Sequence, residues 1–374
     1  MRMGMVGGGP GAFIGGVHRL VAALDGEFTL VAGAFSSDPG KSAQAGGELG
    51  LDPARVYGSW AEMVAAEATL PAATRIEAVS IVTPNHVHAG PAIAALEAGF
   101  HVICDKPLTV SSAEAARIAA AVAASGRVFA LTHNYTGYPM VREARELVRS
   151  GALGTIRKVY AEYLQGWLAD PIERDGQKQA GWRTDPARSG PGGSLGDIGT
   201  HAFNLLEHVV GQRMTRLLGR RASFVAGRAV DDDAMVLFEL DGGANGSLVC
   251  SQVCVGRENG LRLRVYGTEG GLAWDQEHPN DLHLTWKDRA GEHRRTGNAY
   301  LGAAAQSLGR IPPGHPEGYL EAFANVYRAF ARRIRGEDDL ADAFPTVADG
   351  VRGVQFIETV IASSDQGAWT EFPA

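Results

Sequence analysis

The chain has 374 residues, of which 45% are hydrophobic and 21% are charged, and its formal net charge is -7 at pH 7. A length well above about 150 residues favours two domains, and the composition is that of a folded globular protein. The negative charge argues against the phosphate backbone of a nucleic acid as a partner, and no stretch reaches the ~18 consecutive apolar residues that a membrane span needs. We therefore predict a protein that binds neither nucleic acid nor membrane.

The three cysteines bear on the cellular location. So small and odd a count does not form a disulfide framework and fits a reducing compartment. The N-terminal residues superficially resemble a signal sequence, but cleavage would remove the glycine cluster that begins at Gly7. We therefore predict a cytoplasmic protein. Cys250 and Cys254 lie ~13 Å apart on a predicted strand, too far to share a metal, and we interpret them as buried thiols.

The first predicted element is an apolar strand at residues 1–6, followed by a glycine-rich turn and by apolar residues at helical spacing. Gly7, Gly9 and Ala12 fit the pattern G-x-G-x-x-A, in which the backbone approaches a dinucleotide pyrophosphate and a helix N-terminus points its N–H groups at it. A tight turn without a ligand is the alternative. The predicted cofactor contacts are Gly7, Gly9, Pro10, Gly11, Ala12, Phe13 and Ile14.

The end of the second strand, residues 29–35, bears on which dinucleotide binds. An Asp or Glu there would hold the ribose 2′-hydroxyl of NAD, but Ser36 occupies the position and Ser37 follows it. A serine with Lys41 five residues later suits a 2′-phosphate, whereas a polar turn with Lys41 in solvent is an equal alternative. We predict that Ser36, Ser37 and Lys41 contact the cofactor, and the choice between NAD and NADP stays open.

Strands and helices alternate up to residue 132, which predicts a parallel, doubly wound sheet whose ligands lie at the carboxyl ends of its strands. Two motifs occupy such ends, TPNHVH at residues 83–88 and DKP at residues 105–107. The two histidines of the first motif have the spacing of metal ligands, but no third ligand lies nearby, so we predict no metal. Asn85 is instead expected to bind a cofactor ribose. A lone lysine such as Lys106 is usually a solvated charge.

The second half of the chain predicts a domain of another kind. After a helix at residues 139–150, strand signals follow one another with short glycine-containing turns, which indicates a largely antiparallel sheet and an α+β domain. Asn134 and Tyr135 stand just before the boundary, where we expect them to face a cleft, although packing between domains is an equal alternative for Tyr135. The predicted domains are residues 1–135 and 136–374.

Several polar residues of this half are candidates for substrate binding. Residues 165–193 form a long polar loop, a kind of segment that is often functional, and its Trp167, Trp182 and Arg183 suit a ring carrying several hydroxyls. Asp197 and His201 project from one helix face, although such a pair is more often an ordinary surface contact.

Two further features of this half have plainer alternatives. His315, at the entrance of a long helix, is interpreted either as facing the substrate or as an ordinary loop histidine. The three carboxylates of Asp231, Asp232 and Asp233 cannot converge on one metal.

Four motifs resemble those of the Gfo/Idh/MocA family of nicotinamide-dependent oxidoreductases, which includes inositol dehydrogenases and glucose-fructose oxidoreductase. They are GGGPGA, TPNHVH, DKP and GGSLGDIGTH, in this order along nearly the whole chain. The stretches GAFSSDPGKS and HPEGYLEAFAN are similar to the levoglucosan dehydrogenase and sugar dehydrogenase branch. Asp105 departs from the family, which more often has Glu before Lys-Pro, but it keeps the carboxylate.

The resemblance implies a Rossmann domain followed by an α+β domain with an open sheet, whose face is used for homodimer or homotetramer contact. It makes Lys106, Asp197 and His201 the catalytic residues, with His201 as the base and Lys106 as the cationic donor. The remaining cofactor residues are Thr83, Pro84, Asn85, His88, Asp105, Lys106 and Asn134. The implied substrate residues are Lys106, Tyr135, Trp167, Trp182, Arg183, Asp197, His201 and His315.

The sequence thus predicts an NAD(P)-dependent dehydrogenase that oxidises a secondary hydroxyl of a sugar, cyclitol or related polyol. One alternative is a glycosidase of the same family that oxidises a sugar transiently with bound NAD. Another is a nucleotide-sensing regulator without catalysis.

Overall fold

The computed structural model describes residues 1–337 and 344–373 and divides into two compact units. The predicted second domain, residues 136–374, includes residues 338–343 and 374, which lie outside the described residues. The two units consist of Met1–Thr132 with Phe323–Val351, and of His133–Ala322 with Arg352–Ala374.

The first unit includes residues 323–351, which the prediction had placed in the second domain. The reason is a set of aromatic contacts between distant parts of the chain. The ring of Phe28 lies 5.8 Å from the rings of Tyr327 and Phe330. A sequence pattern does not reveal such a contact, because each partner only appears as an apolar position of its own element.

The described residues of the first unit form one parallel sheet. Its strands are β1 Arg2–Gly7, β2 Thr29–Ala34, β3 Ala78–Val82, β4 His101–Cys104 and β5 Phe129–Leu131. The helices are α1 Phe13–Leu24, α2 Pro39–Glu48, α3 Trp60–Thr69, α4 Ala89–Glu97 and α5 Ser112–Ser125, with short 3-10 turns at Pro53–Arg55 and Asn85–Val87.

The order of the parallel strands is β2-β1-β3-β4-β5. β3 is buried along its whole length, as expected for a parallel sheet with helices on both faces. The direction of winding reverses between β1 and β3, where Gly7 pairs with Val82. In such a fold the crevice for a ligand lies outside the carboxyl ends of the strands at this reversal.

The second unit contains a large mixed sheet. Its strands are β6 Ile156–Leu164, β7 Met214–Ala222, β8 Asp233–Leu240, β9 Asn245–Ser251, β10 Gly260–Gly267, β11 Gly270–Asp275, β12 Asp281–Trp286, β13 Glu292–Arg295 and β14 Thr370–Glu371. Its helical segments are α6 Pro139–Arg149, α7 Lys178–Arg183, α8 Pro186–Ser189, α9 Thr200–Val210 and α10 Ala303–Gln306, with short turns at Asn134–Gly137, Ile172–Asp175 and Leu195–Gly199. α11 Tyr319–Arg335 and α12 Val347–Gln366 contribute residues to both units.

The strand order of this sheet, taken over the described ranges, is β13-β12-β11-β10-β6-β9-β8-β7-β14. β6 pairs with β9 in parallel and the other pairs are antiparallel. The alternation along β8 shows that one sheet face is buried, because Val236 and Phe238 are inside while Met235 and Leu237 are 56% and 49% exposed. The predicted fold class is therefore confirmed.

In the described part of the chain no helix has the length and apolarity to cross a bilayer.

We expect the stability of the first unit to depend on pH through His101. Its Nδ1 accepts a hydrogen bond from the N–H of Val128 at 3.0 Å, and burial, followed by the charge of Arg127, lowers the pKa of His101 to about 4, while Glu77 opposes the shift. An unfolded histidine has a pKa of about 6.5, so the unfolded state binds more protons below that pH. Stability should therefore fall as the pH decreases from about 6.5 towards 4.

His101→Asn tests this dependence, because the amide oxygen can accept the same hydrogen bond without titrating. The thermal midpoint of the variant should change less with pH than that of the wild type between about pH 7 and pH 4. His278→Asn, at an exposed histidine, is the control and should follow the wild type. Parallel curves for wild type and His101→Asn would contradict the prediction.

Candidate active site

The turn after β1 packs tightly against the backbone that follows β2. Gly7, Gly8 and Gly11 have φ angles of 88°, 77° and 74°, in the left-handed region that favours glycine. The N–H of Gly9 donates to the carbonyl of Phe35 at 3.1 Å, and a Cβ on Gly9 would lie 2.6 Å from that oxygen. The path of the backbone therefore requires glycines here.

Helix α1 approaches this turn closely at Gly15. A Cβ on Gly15 would lie 2.3 Å from the Cα of Gly8. The sequence analysis missed Gly15 because its motif ended at Ala12, although a glycine one turn into the helix was a readable signal. Across the described residues no side chain caps the N-terminus of α1 and its first turn has no acidic residue, so this helix end suits an anion.

The residues after β2 form the start of α2. The Oγ of Ser36 accepts a hydrogen bond from the N–H of Asp38 at 3.1 Å, and the Asp38 carboxylate in turn accepts one from the N–H of Lys41 at 3.1 Å. The side chains of Ser37 and Lys41 are exposed. The first carboxylate after β2 thus belongs to Asp38, where it caps a helix. Cofactor contact at Ser36, Ser37 and Lys41 stays a prediction.

The motif after β3 contains a buried hydroxyl that is suited to binding a ligand, and a histidine whose ring contacts backbone carbonyls. The Oγ1 of Thr83 is buried and has no hydrogen-bond partner in residues 1–337 and 344–373. His88 is fully buried, with Nε2 2.9 Å from the carbonyl of Thr83 and Nδ1 3.0 Å from that of Pro107, and burial lowers its pKa. His88 therefore lies between the segments after β3 and β4, where a neutral imidazole donates to the carbonyl on one side at a time, and its contact with a cofactor stays a prediction.

Asp105 and Lys106 directly follow β4. The carboxylate of Asp105 accepts a hydrogen bond from the Oγ1 of Thr132 at 2.7 Å, and its Oδ1 lies 3.9 Å from Nε2 of His18. Burial raises the pKa of Asp105, but the proximity and charge of His18, followed by Lys106 and Thr132, outweigh it and hold the pKa well below its usual range. Asp105 is therefore an anion beside Lys106, which is half-buried.

His18 is held within the first unit by a buried cluster that the sequence analysis did not find. Its Nδ1 lies 2.7 Å from the hydroxyl of Tyr327 and 3.2 Å from that of Ser80. Tyr327 is 309 positions away in the sequence. The cluster fixes the orientation of the imidazole, whose other nitrogen faces Asp105.

In the second unit, His201 lies in a buried aromatic cluster. Its Nδ1 is 3.3 Å from Nδ1 of His133, and its ring meets that of Tyr135 edge-on with centroids 4.7 Å apart. The hydroxyls of Tyr135 and Tyr163 are 2.6 Å apart, and the amide of Asn259 donates to the former at 3.2 Å. Burial raises the pKa of both tyrosines, so their hydroxyls are neutral near pH 7.

Asp197 lies at the helical turn that precedes α9 and is oriented by two side chains. Its Oδ2 accepts hydrogen bonds from Nε of Arg183 at 3.1 Å and from Nε2 of Gln252 at 2.9 Å. The guanidinium of Arg183 lies 4.3 Å from the ring centre of Trp182 and 5.9 Å from that of Trp167. The structure therefore brings Asp197 together with all three loop residues that the sequence analysis selected.

A buried carboxylate anchors the segment that carries Asp197. Asp231 accepts hydrogen bonds from the N–H groups of Gly193 and Leu195 at 2.9 and 2.8 Å and from the hydroxyl of Ser194 at 2.7 Å. Asp232 instead accepts from the N–H groups of the Phe224–Val225 segment. The adjacent carboxylates thus have separate structural roles, and the described residues contain no group of three or more metal-binding side chains.

Two other predicted site residues differ in their exposure. His315 is exposed, and its Nδ1 lies 3.2 Å from the carbonyl of Pro312. Asn134 is buried, and its Nδ2 has no hydrogen-bond partner in the portion of the chain that the structure describes. Both ligand contacts stay predictions.

The sequence analysis missed several polar residues of the second unit. Gln252 is 55 positions from Asp197, and His133 is 68 positions from His201. Each lies next to an apolar run and beside other polar residues, a pattern that does not indicate its partner. The missed residues are His133, Tyr163, Gln165, Gln252 and Asn259.

The first unit fits a dinucleotide on its own geometry. The glycine turn leaves no room for side chains, the α1 N-terminus suits a phosphate, and the hydroxyl of Thr83 is a buried polar group at the sheet reversal.

Sequence comparison agrees, since residues 1–133 match the oxidoreductase family with an NAD-binding Rossmann fold and residues 141–273 match the GFO/IDH/MocA C-terminal domain. The uncharacterized oxidoreductase YfiI of Bacillus subtilis (strain 168) is 36% identical over 100% of this chain and 97% of its own.

The chain belongs to the Gfo/Idh/MocA family. It is an NAD(P)-dependent oxidoreductase with an NAD-binding domain. Levoglucosan dehydrogenase of Pseudarthrobacter phenanthrenivorans, another relative, is 28% identical over 100% of this chain and 98% of its own.

Solved structures of this family extend the comparison. An inositol dehydrogenase homolog from Azotobacter vinelandii in complex with NAD+ has a TM-score of 0.94 and 40% identity, and covers 100% of this chain and 97% of its own. The structure of an inositol dehydrogenase homolog from the same organism with NADH and myo-inositol has a TM-score of 0.91 and 38% identity. It covers 100% of this chain and 97% of its own.

Proposed function

We propose that this family member is a dehydrogenase that oxidises a secondary hydroxyl of a sugar, cyclitol or related polyol. The observation that carries the proposal is the hydrogen-bonding environment of Asp197 and His201. The carboxylate is oriented by Arg183 and Gln252, and the imidazole meets the ring of Tyr135 edge-on. Such convergent donors and acceptors suit a ring with several hydroxyls. The relative that was crystallised with myo-inositol supports the same substrate class.

His201 accepts the proton of the substrate hydroxyl in the proposed reaction, a role that imidazoles fill because they titrate near neutral pH. Lys106 donates a hydrogen bond to the substrate and stabilises the negative charge that develops on its oxygen. Asp197 orients the substrate. Bound NAD+ would supply the hydride acceptor at C4 of its nicotinamide.

The residues proposed to hold the dinucleotide follow from the chemistry of each strand end. The turn after β1 and the start of α1 would bind the pyrophosphate, and Thr83 with Asn85 would bind a ribose. His88 would support this segment, since its ring nitrogens lie within hydrogen-bonding distance of the carbonyls of Thr83 and Pro107. The contacts of Ser36 and Lys41 with the ribose 2′-position would decide whether NAD or NADP is preferred.

A reduction assay with NAD+ and NADP+ against myo-inositol, levoglucosan and common aldoses tests the proposed function. We expect an increase in reduced-cofactor absorbance with at least one ring polyol. Nucleotide binding without reduction across the panel would favour a sensor. Release of an aglycone from glycosides, without net reduction, would favour the glycosidase chemistry found in the family. Either of these outcomes would reject the proposal.

We propose a homodimer or homotetramer formed through the outer face of the large sheet, where Met235 and Leu237 are exposed. Leu237→Asp should convert the assembly to a monomer, because the change places a charge within an apolar contact. Val255→Asp, at a residue 84% exposed and outside the strands, is the matched control and should leave the assembly unchanged. Light scattering after size-exclusion chromatography measures the mass. A monomeric wild type would rule out the proposed assembly.

A further inference from the structure

His133 is a buried histidine that the proposed reaction does not yet use. It is 2% exposed, and His201 is 6% exposed. The two Nδ1 atoms are 3.3 Å apart, and the rings are nearly perpendicular, with centroids 5.1 Å apart. Asn134 and Tyr135, which follow it in the sequence, are predicted site residues, whereas nothing in the sequence indicated His133.

We infer that His133 is a positioning residue that accepts a hydrogen bond from Nδ1–H of His201 and so keeps the ring proton off Nε2. The inference rests on the proposed function, in which Nε2 of His201 receives the substrate proton. His133 acts through His201 and is assigned no contact with the substrate.

The chemistry of two facing imidazole nitrogens restricts the pair to two arrangements. A neutral imidazole carries one ring proton, so a hydrogen bond forms only when one Nδ1 carries that proton and the other does not. If His201 donates, its Nε2 has the lone pair that a general base needs. If His133 donates, Nε2 of His201 already carries the proton and cannot accept another.

The first arrangement also persists when the base is protonated. An imidazolium donates from both nitrogens, so His201 would keep its hydrogen bond to His133, now strengthened by charge. In the second arrangement, protonation of His201 at Nδ1 would place two donors face to face. The neutral acceptor thus orients the base without adding a negative charge beside it.

The surrounding residues hold the backbone of His133 and the ring of His201. The N–H and Oγ1 of Thr136 donate to the carbonyl of His133 at 3.3 and 3.0 Å, which fixes its backbone. The ring of His201 is flanked by those of Tyr135 and Tyr163, with centroids 4.7 and 6.1 Å away. The hydroxyls of these tyrosines bond to each other. The ring of His201 therefore cannot turn without displacing this cluster.

The protonation pattern can be measured without substrate. Nitrogen chemical shifts of the imidazoles, in isotope-labelled full-length protein, report which ring nitrogen carries the proton, and His201→Asn identifies the signals of His201 by their loss. We expect the Nδ1–H form of His201 in the wild type. His133→Leu, which removes the acceptor while roughly keeping the volume, should populate the Nε2–H form. His133→Asn should keep the Nδ1–H form, because its amide oxygen replaces the ring nitrogen as acceptor.

Turnover provides the second readout, with the best polyol substrate of the panel. His133→Leu should lower kcat by about 10- to 100-fold, part of the ~10²–10⁴ that a general base contributes, with little change in KM. His133→Asn should recover most of this loss. A purely structural role would instead lower the thermal midpoint of both variants together and would not separate them by kcat.

The outcomes separate this inference from the proposed function. A wild-type His201 in the Nε2–H form, or a wild-type kcat in folded His133→Leu, would overturn the role of His133. Full turnover by His201→Asn would overturn the proposed base instead. If no polyol is oxidised, the nitrogen chemical shifts still test the hydrogen bond between the two histidines. The Nδ1–H form of His201 in the wild type, together with its loss in His133→Leu, would support that bond.

Discussion

Replacing Lys106 with Met is expected to lower kcat by about 1000-fold or more, equivalent to ~4 kcal/mol of transition-state stabilisation, while the protein still binds NADH. The methionine keeps most of the side-chain length and removes the positive charge. Under the proposed function this charge stabilises the oxygen from which His201 removes the proton. The loss should therefore appear in kcat more than in cofactor affinity.

The neighbouring residues make this expectation specific to Lys106. Asp105 is fixed by Thr132 and by its proximity to His18, so the backbone that carries the lysine is anchored on its N-terminal side. Lys287→Met, at an exposed lysine after β12, is the matched control and should keep wild-type turnover. Steady-state kinetics and an NADH fluorescence titration together measure the effect. Retention of wild-type kcat by Lys106→Met would remove the lysine from the mechanism.

Gly15→Ala is expected to weaken NADH binding by about 100-fold or to prevent folding of the first unit. The added Cβ would lie 2.3 Å from the Cα of Gly8 and 3.1 Å from its carbonyl oxygen. These are backbone atoms that cannot rotate aside, so α1 would have to move away from the glycine turn. Overpacking usually costs about 1–3 kcal/mol, and a backbone clash of this depth belongs at or above that range.

A neighbouring glycine provides a control in the same helix. A Cβ on Gly16 would meet only the flexible end of Arg19, at 3.9 Å. Gly16→Ala should therefore leave NADH affinity unchanged and raise the thermal midpoint slightly, since alanine in a helix is favoured over glycine by about 0.5–1 kcal/mol. Equal NADH affinities in the two variants would show that the close approach at Gly15 does not shape the cofactor site.

Local patterns in the sequence predicted the features that depend on local geometry. The run at residues 78–82 predicted a buried parallel strand because both faces of such a strand are apolar. The glycines after β1 predicted a turn with a close backbone approach, and three glycines of that turn have positive φ angles. Asp197 and His201 were expected on one helix face because four residues correspond to about one helical turn, and both lie in the consecutive helical segments Leu195–Gly199 and Thr200–Val210.

Features built from distant residues could not be predicted in this way. Tyr327 bonds to His18 across 309 positions, and nothing near either residue indicates the other. The family resemblance implied that His88 contacts the cofactor, but it did not indicate that the ring nitrogens of His88 lie within hydrogen-bonding distance of carbonyl groups of two segments. Which side of a strand end is buried depends on the packing of neighbouring segments, and a motif does not contain that information.

The anchoring by Asp231 has a consequence for how this protein could be altered. The buried carboxylate holds residues 193–195, while the aromatic rings of the long polar loop meet Asp197 through Arg183. The segment that carries Asp197, and after it the proposed base His201, is therefore anchored by Asp231 independently of the loop. Exchanging residues 167–182 for another sequence should change which polyol is accepted and leave the proton acceptor in place, provided that Arg183 is kept.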